Sequence, residues 1–157
     1  MSKFTLDKQK CRVINVNPRK EASGDDKGAT LATDIKLEIE DLPAEALKPL
    51  FPENQGGDSI VDSLFTDTGT PRFNGITVAS AAEFENVDAH VYGQKLPGAK
   101  VKKFRVTKLS DGAKVNLRFT LQVHPTGAAL GAISEKIKEE VKVTLEPQPE
   151  LPLEHAA

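Results

Sequence analysis

The sequence predicts a single α+β domain, mainly an antiparallel sheet or a partly open barrel with two or three short helices. Several segments alternate apolar and polar residues, as strands with one buried face do. Clusters of Gly, Pro, Asn and Asp separate these segments, and apolar residues recur at helical spacing only in short stretches. The chain has 157 residues, of which 38% are hydrophobic, so it can bury one core without disulfides or metal.

The first part of the chain contains two predicted strands. Residues 4–16 alternate loosely and end in β-branched residues, which predicts one long or bent strand, and the polar residues 17–28 predict an exposed loop. A clearer strand follows, because its alternate residues form one apolar and one charged set. The predicted inward set is Leu31, Thr33, Ile35, Leu37 and Ile39, and the outward, mostly acidic set is Asp34, Lys36, Glu38 and Glu40.

The middle of the chain predicts short helices and weaker strands. Residues 44–48 predict a short helix that Pro43 begins and Pro49 limits. Asp58 is a candidate N-cap for a second turn, whose apolar residues are Ile60, Val61, Leu64 and Phe65. Residues 76–92 then predict one or two strands.

The best-defined unit is an antiparallel hairpin over residues 101–123, in which the first arm contributes Phe104 and Val106 and the turn lies at residues 110–112. The second arm alternates without error. Its predicted inward set is Val115, Leu117, Phe119, Leu121 and Val123, and its outward set is Asn116, Arg118, Thr120, Gln122 and His124.

The last part of the chain predicts a helix, a strand and a tail. Apolar residues at helical spacing predict an amphipathic helix over residues 128–140, with an inward stripe of Leu130, Ile133 and Ile137. Residues 141–145 predict a short final strand. The predicted domain therefore covers residues 1–146, and a flexible, proline-rich tail covers residues 147–157.

The sequence predicts no catalytic residue, metal site or cofactor, and we expect a protein that is not an enzyme. Cys11 is either a thiolate nucleophile beside basic neighbours or a small apolar residue of a core strand, and we expect the second. Asp88 and His90 share one face of a predicted strand and supply two metal ligands at most. The remaining histidines, His124 and His155, are isolated in the sequence.

Composition also predicts the compartment. No segment approaches the about 18 consecutive apolar residues of a membrane-spanning helix, and the first residues lack the apolar core of a signal peptide. We therefore expect a cytoplasmic protein without membrane contact.

Charge is unevenly distributed along the chain. The net charge is −2 over the whole sequence, yet residues 100–118 carry a formal charge of +6. The seven basic residues of this segment are Lys100, Lys102, Lys103, Arg105, Lys108, Lys114 and Arg118. A hairpin with these side chains on its outer face can follow a phosphate backbone, or it can be a solvated face whose lysines keep an edge strand soluble.

Residues 98–125 resemble the C-terminal hairpin of small, uncharacterised proteins from the early regions of tailed bacteriophages and prophages. The strand at 34–39 and the segment at 140–145 are similar in the same way. The resemblance implies a role in phage DNA metabolism or counter-defence inside the host cytoplasm, and it implies no reaction and no functional residue.

Two functions follow as hypotheses. The first is a non-enzymatic phage accessory protein that binds single-stranded DNA or RNA through the seven basic residues of the hairpin. The second is an inhibitor or adaptor that binds a host protein, such as a defence or DNA-metabolism enzyme, through the acidic outer face of residues 34–40.

Overall fold

The computed structural model describes residues 4–20, 31–51 and 61–147, which form one sheet and three short helices. The strands are β1 (Leu6–Lys20), β2 (Leu31–Pro43), β3 (Val78–Ser80), β4 (Phe84–Val91), β5 (Gln94–Ser110), β6 (Lys114–Val123) and β7 (Glu140–Pro147). Two 3₁₀ helices span Ala44–Leu50 and Asp62–Leu64, and the α-helix α1 spans Gly127–Ser134.

All seven strands pair antiparallel, and six of the strands form a ring. Neighbours in the ring are β1, β2, β6, β5, β4 and β7, and β7 pairs again with β1. The short strand β3 pairs with residues 104–106 of β5. It lies on the same side of β5 as β4, which pairs with residues 94–101. The predicted antiparallel sheet with a barrel-like arrangement is therefore confirmed.

The described strands contain several register shifts, and four of these are β-bulges of one kind. In each of them two consecutive side chains face outward, and the second residue has a left-handed backbone with φ between 51° and 57°. These residues are Lys8 in β1, Asp41 in β2, Asn86 in β4 and Lys103 in β5. An extra residue in one strand increases the local twist, so the bulges favour the coiling that lets the sheet close.

The core fills the ring and contains a cluster of phenylalanine rings. Phe104 lies at its centre, with its ring centroid 5.1 Å from that of Phe4, 5.8 Å from that of Phe84 and 6.0 Å from that of Phe119. Edge-to-face and offset contacts at such distances add to the stabilisation from burial. The prediction that Phe104 and Phe119 belong to the core is confirmed, since each is 1% exposed.

The predicted strands and the hairpin are present, with corrections at particular residues. The first strand continues to Lys20, so the predicted loop over 17–28 was wrong at its start. In β6 the alternation is confirmed except at Thr120, which is buried although it was predicted to face water. Thr120 lies in register between Lys36 of β2 and Lys102 of β5, whose long apolar stems can cover a small neighbour.

The 3₁₀ helix Ala44–Leu50 differs from the predicted helix because it runs through Pro49. Its buried residues are Ala44, Leu47 and Leu50, and this spacing of three matches the repeat of a 3₁₀ helix. The second predicted turn is the 3₁₀ helix Asp62–Leu64, beside which Val61 and Phe65 are also buried.

The helix predicted over 128–140 was too long. It ends at Ser134, since the chain then turns so that Ile137 forms a parallel bridge with Val13 of β1. The backbone N–H of Val13 donates to the carbonyl of Glu139 over 3.0 Å. Ile133 is fully buried but Ile137 is 36% exposed, so Ile137 does not belong to a buried helical stripe.

Several predictions concern residues outside the described ranges. These are most of the loop 17–28, the cap Asp58, Ile60, His155 and the tail beyond Pro147, the last residue of β7. Among the described helices, none is long and apolar enough to cross a membrane.

The two isoleucines predicted to share a helical stripe should differ in their contribution to stability. We expect Ile133→Ala to lower the free energy of unfolding by about 2–5 kcal/mol, because it leaves a cavity in the core. Ile137→Ala should lower it by less than about 1 kcal/mol, because that side chain is partly in water. Urea denaturation of both variants measures the difference, and equal losses would contradict the position of Ile137.

Cys11 should be unreactive in the folded protein. The thiol is 1% exposed, and burial raises its pKa from 9.0 to about 12, so it stays protonated and out of contact with reagents. We expect no reaction with a disulfide reagent at about pH 8 and complete reaction in urea.

The buried thiol should also make stability depend on pH. Because the pKa of Cys11 is higher in the folded protein than in the unfolded chain, the free energy of unfolding should fall as pH rises from 9.0 towards about 12. Cys11→Ala should lack this contribution, as urea denaturation at several pH values can show.

Candidate functional site

The seven predicted basic residues all lie on the hairpin of β5 and β6, but the structure does not bring all of them together. Lys100 is near one end of the paired region, opposite Gln122, and Lys114 is at the turn, opposite Ser110. Between them, Arg105 and Arg118 are direct cross-strand partners. The centre of the basic surface is therefore this arginine pair.

A shallow depression of about 190 Å³ lies beside the arginine pair on the outer face of the ring. Four cations line it, and we call them the cationic cluster: Lys36, Lys103, Arg105 and Arg118. The remaining lining residues are Ile14, Phe119 and Thr120, so no carboxylate lines the depression. Such a surface attracts anions because the cations are close together and few counter-charges oppose them.

Three of the four charges of the cationic cluster have no ion-pair partner among the residues that the structure describes. Lys36, Lys103 and Arg105 form no ion pair within the described ranges. Arg118 donates from Nε to Glu38 Oε2 over 2.8 Å. Glu38 is the residue of β2 that lies directly opposite Arg118 of β6. Like charges directly opposite each other on neighbouring strands are destabilising. Glu38 offsets this repulsion on the Arg118 side, and a bound anion would offset it on the Arg105 side.

The β5 bulge explains how Lys103 reaches this surface. Regular alternation would place Lys102 and Phe104 on the same face, but the extra residue lets Lys102 and Lys103 both face outward while Phe104 stays buried. A second register shift lies on the other side of the depression, in β1. Val13 pairs with Leu37 and Asn15 with Lys36, so Ile14 is an extra residue without a partner in β2. The depression thus lies between two bulges.

The cationic cluster has a rigid base. Phe104 separates Lys103 from Arg105 along β5, and Phe119 precedes Thr120 along β6. Both rings point into the core, with centroids 6.0 Å apart. Sites on strands whose inner side chains are packed hold their geometry better than sites on loops.

The other predicted basic residues have different environments. Lys100 is 3.0 Å from a carboxylate oxygen of Glu83 and 3.8 Å from one of Glu85, and the hydrogen bond and charge of Glu83 raise its pKa. Lys102 Nζ donates to Gln122 Oε1 over 2.6 Å. Lys108 and Lys114 are exposed and without ion pairs in the described part of the chain.

Most of the negative charge that the sequence predicted on the outer face of β2 is paired with arginines. Each of the three carboxylates predicted for this face has an arginine partner: Asp34 pairs with Arg19, Glu38 with Arg118 and Glu40 with Arg12. The fourth carboxylate of β2, Asp41, is exposed and forms no ion pair within the described ranges. Lys36 was predicted on the same outer face as these carboxylates, and in the structure Lys36 lines the cationic depression. The sequence missed this role because Lys36 is far from the hairpin along the chain and joins it only through the pairing of β2 with β6.

No metal site is visible in the described ranges, where no three metal-ligating side chains come together. Asp88 and His90 do lie two residues apart on β4, in register with Glu146 and Thr144 of β7.

Comparisons with known proteins add no family assignment. No protein-family model, curated protein or solved structure matches the chain. The relationship to phage early-region proteins therefore stays a prediction from the sequence.

Proposed function

We propose that this protein binds single-stranded nucleic acid, without catalysis, through the cationic cluster and the neighbouring basic residues of the hairpin. The observation that carries the proposal is the depression lined by four cations and no carboxylate. Phosphate groups are the anions that such a surface takes in a nucleic acid, because Arg and Lys neutralise them and release bound counterions.

The shape of the surface favours a single strand over a duplex. Proteins that read a duplex insert a helix or a two-stranded ribbon into a groove. Here the cations lie on the outer face of three neighbouring strands, β2, β6 and β5, and the depression between them is small. A flexible single strand can follow such a face and place one phosphate in the depression.

The alternative, a protein that inhibits or adapts a host enzyme, has less support. It depends on the acidic outer face of β2, where Asp34, Glu38 and Glu40 are already paired with arginines. A basic partner would have to displace these arginines. Recovery from a bacterial lysate of a stoichiometric protein partner that survives nuclease treatment would favour this alternative.

Removal of the hairpin charges should weaken binding uniformly across sequences. We expect Lys102→Ala, Lys103→Ala and Arg105→Ala together to lower affinity for single strands and to reduce the slope of log K against log salt by about 2, since each lost contact contributes about 0.7. Fluorescence anisotropy with a labelled oligonucleotide between about 50 and 200 mM salt measures both quantities.

A matched triple variant controls for net charge. Lys8, Lys10 and Lys142 are exposed lysines on β1 and β7, so replacing all three by Ala removes the same charge from another part of the ring. We expect a much smaller loss of affinity. Equal losses in the two triple variants, or no saturable binding by the unaltered protein at low salt, would contradict the proposal.

Lys103→Gly should separate binding from stability. Lys103 has φ 57° and Lys8 has φ 51°, a region that is unfavourable for side-chain-bearing residues by about 1–2 kcal/mol and free of strain for Gly. We expect both Lys103→Gly and Lys8→Gly to keep or raise the free energy of unfolding, by up to about 1 kcal/mol. Only Lys103→Gly should lower affinity for single strands, as anisotropy and urea denaturation can show together.

A further inference from the structure

Phe73 differs from every other phenylalanine of the chain. The sequence has seven, and six of them are buried in the core or pack partly against it. Phe73 is 45% exposed. A single exposed apolar residue is common, so its meaning depends on how it is held and what lies beside it.

The backbone that leads to Phe73 is held in place by several hydrogen bonds. The N–H of Arg72 donates to the carbonyl of Leu64, and its Nε donates to the carbonyl of Phe65, both over 2.9 Å. The carbonyl of Gly69 accepts from the N–H groups of Gly112 and Ala113 at 3.0 Å, which attaches the segment to the turn between β5 and β6. The backbone immediately before Phe73 is therefore anchored to the rest of the domain.

The ring of Phe73 lies beside the basic surface. Together with Ile76, Thr107, Lys108 and Leu109 it lines a depression of about 280 Å³, which is smaller than the about 300–1,000 Å³ of sites that enclose a drug-sized ligand. Lys108 is shared between this depression and the basic face of β5, three residues from Arg105 and about 10 Å away along the strand. An apolar ring and a cation thus continue the path of the cationic cluster.

We infer that Phe73 is a base-stacking residue and that the depression beside it takes an unpaired nucleobase of the bound strand, while Lys108 contacts a neighbouring phosphate. This inference rests on the proposed function. An aromatic ring stacks on the face of any base, so the contact is tolerant of sequence. It requires a base that is not already stacked and paired in a duplex, which makes single strands the ligand class.

The experiment compares two labelled oligomers of about 15 nucleotides, oligothymidine and an abasic strand of the same length, in fluorescence anisotropy at low salt. We expect Phe73→Ala to lower affinity for oligothymidine by about 5- to 100-fold, with no change for the abasic strand and no change in salt slope. Phe73→Tyr should restore binding, because it keeps a ring. Tyr92→Ala is the matched control, because Tyr92 is also 45% exposed but lies at the turn between β4 and β5, and it should leave both affinities unchanged.

The outcomes separate the inference from the proposed function. Normal binding of oligothymidine by Phe73→Ala, with the expected loss in the Lys102, Lys103 and Arg105 triple variant, would overturn the inference alone. Equal losses on both oligomers, or a large fall in the thermal midpoint, would assign Phe73 a structural role and also overturn it. If the triple variant binds normally as well, the proposed function itself fails. A last outcome is that Phe73→Ala binds both oligomers normally but no longer binds a protein partner recovered from a lysate. The occupant of the depression would then be an apolar side chain of that partner, which would contradict the inference.

Discussion

Closure of the antiparallel sheet is the constraint on which the other features of this protein depend. A regular antiparallel sheet twists but does not close by itself, and bulges supply the additional local bending. Four bulges with the same in, out, out, in pattern lie in β1, β2, β4 and β5. They turn the inner faces of six strands towards one core, in which Phe104 contacts three other rings.

The same device builds the candidate site. A bulge leaves the inward residues of its strand in place but adds one outward side chain, and in β5 that side chain is Lys103. Closure of the ring also brings β2 next to β6, so Lys36 joins Arg118 and Arg105 although the sequence separates them widely. The cationic cluster is thus a product of topology, with the packed rings of Phe104 and Phe119 beneath it.

The sequence predicted local features well and long-range ones poorly. The alternation in β2 and β6 identified both strands and most of their buried residues, because a single buried face imposes a period of two. It missed Ala32, Leu42 and Thr120. The strand order and the contribution of Lys36 depend on which strands pair, which no local pattern determines. The helix over 128–140 was too long because its periodicity continues to Ile137, while a bridge from Ile137 to Val13 ends the helix early. Three of the four bulges did leave a signal in the sequence: two polar residues between two apolar ones, as in Val101-Lys102-Lys103-Phe104.

The residue type at each bulge indicates whether local backbone conformation alone explains it. Asp41 and Asn86 are of the kind that tolerates a left-handed backbone, so those two bulges need no further explanation. Lys8 lies in the same conformation, and its backbone N–H donates to Thr144 Oγ1 over 3.0 Å. The side chain of Lys103 has no hydrogen-bond or ion-pair partner among the described residues, and the repelling pair Arg105 and Arg118 follows directly. The strained backbone of Lys103 and the like charges of Arg105 and Arg118 therefore lie side by side, and negative charge from a bound anion would offset the second of these two costs.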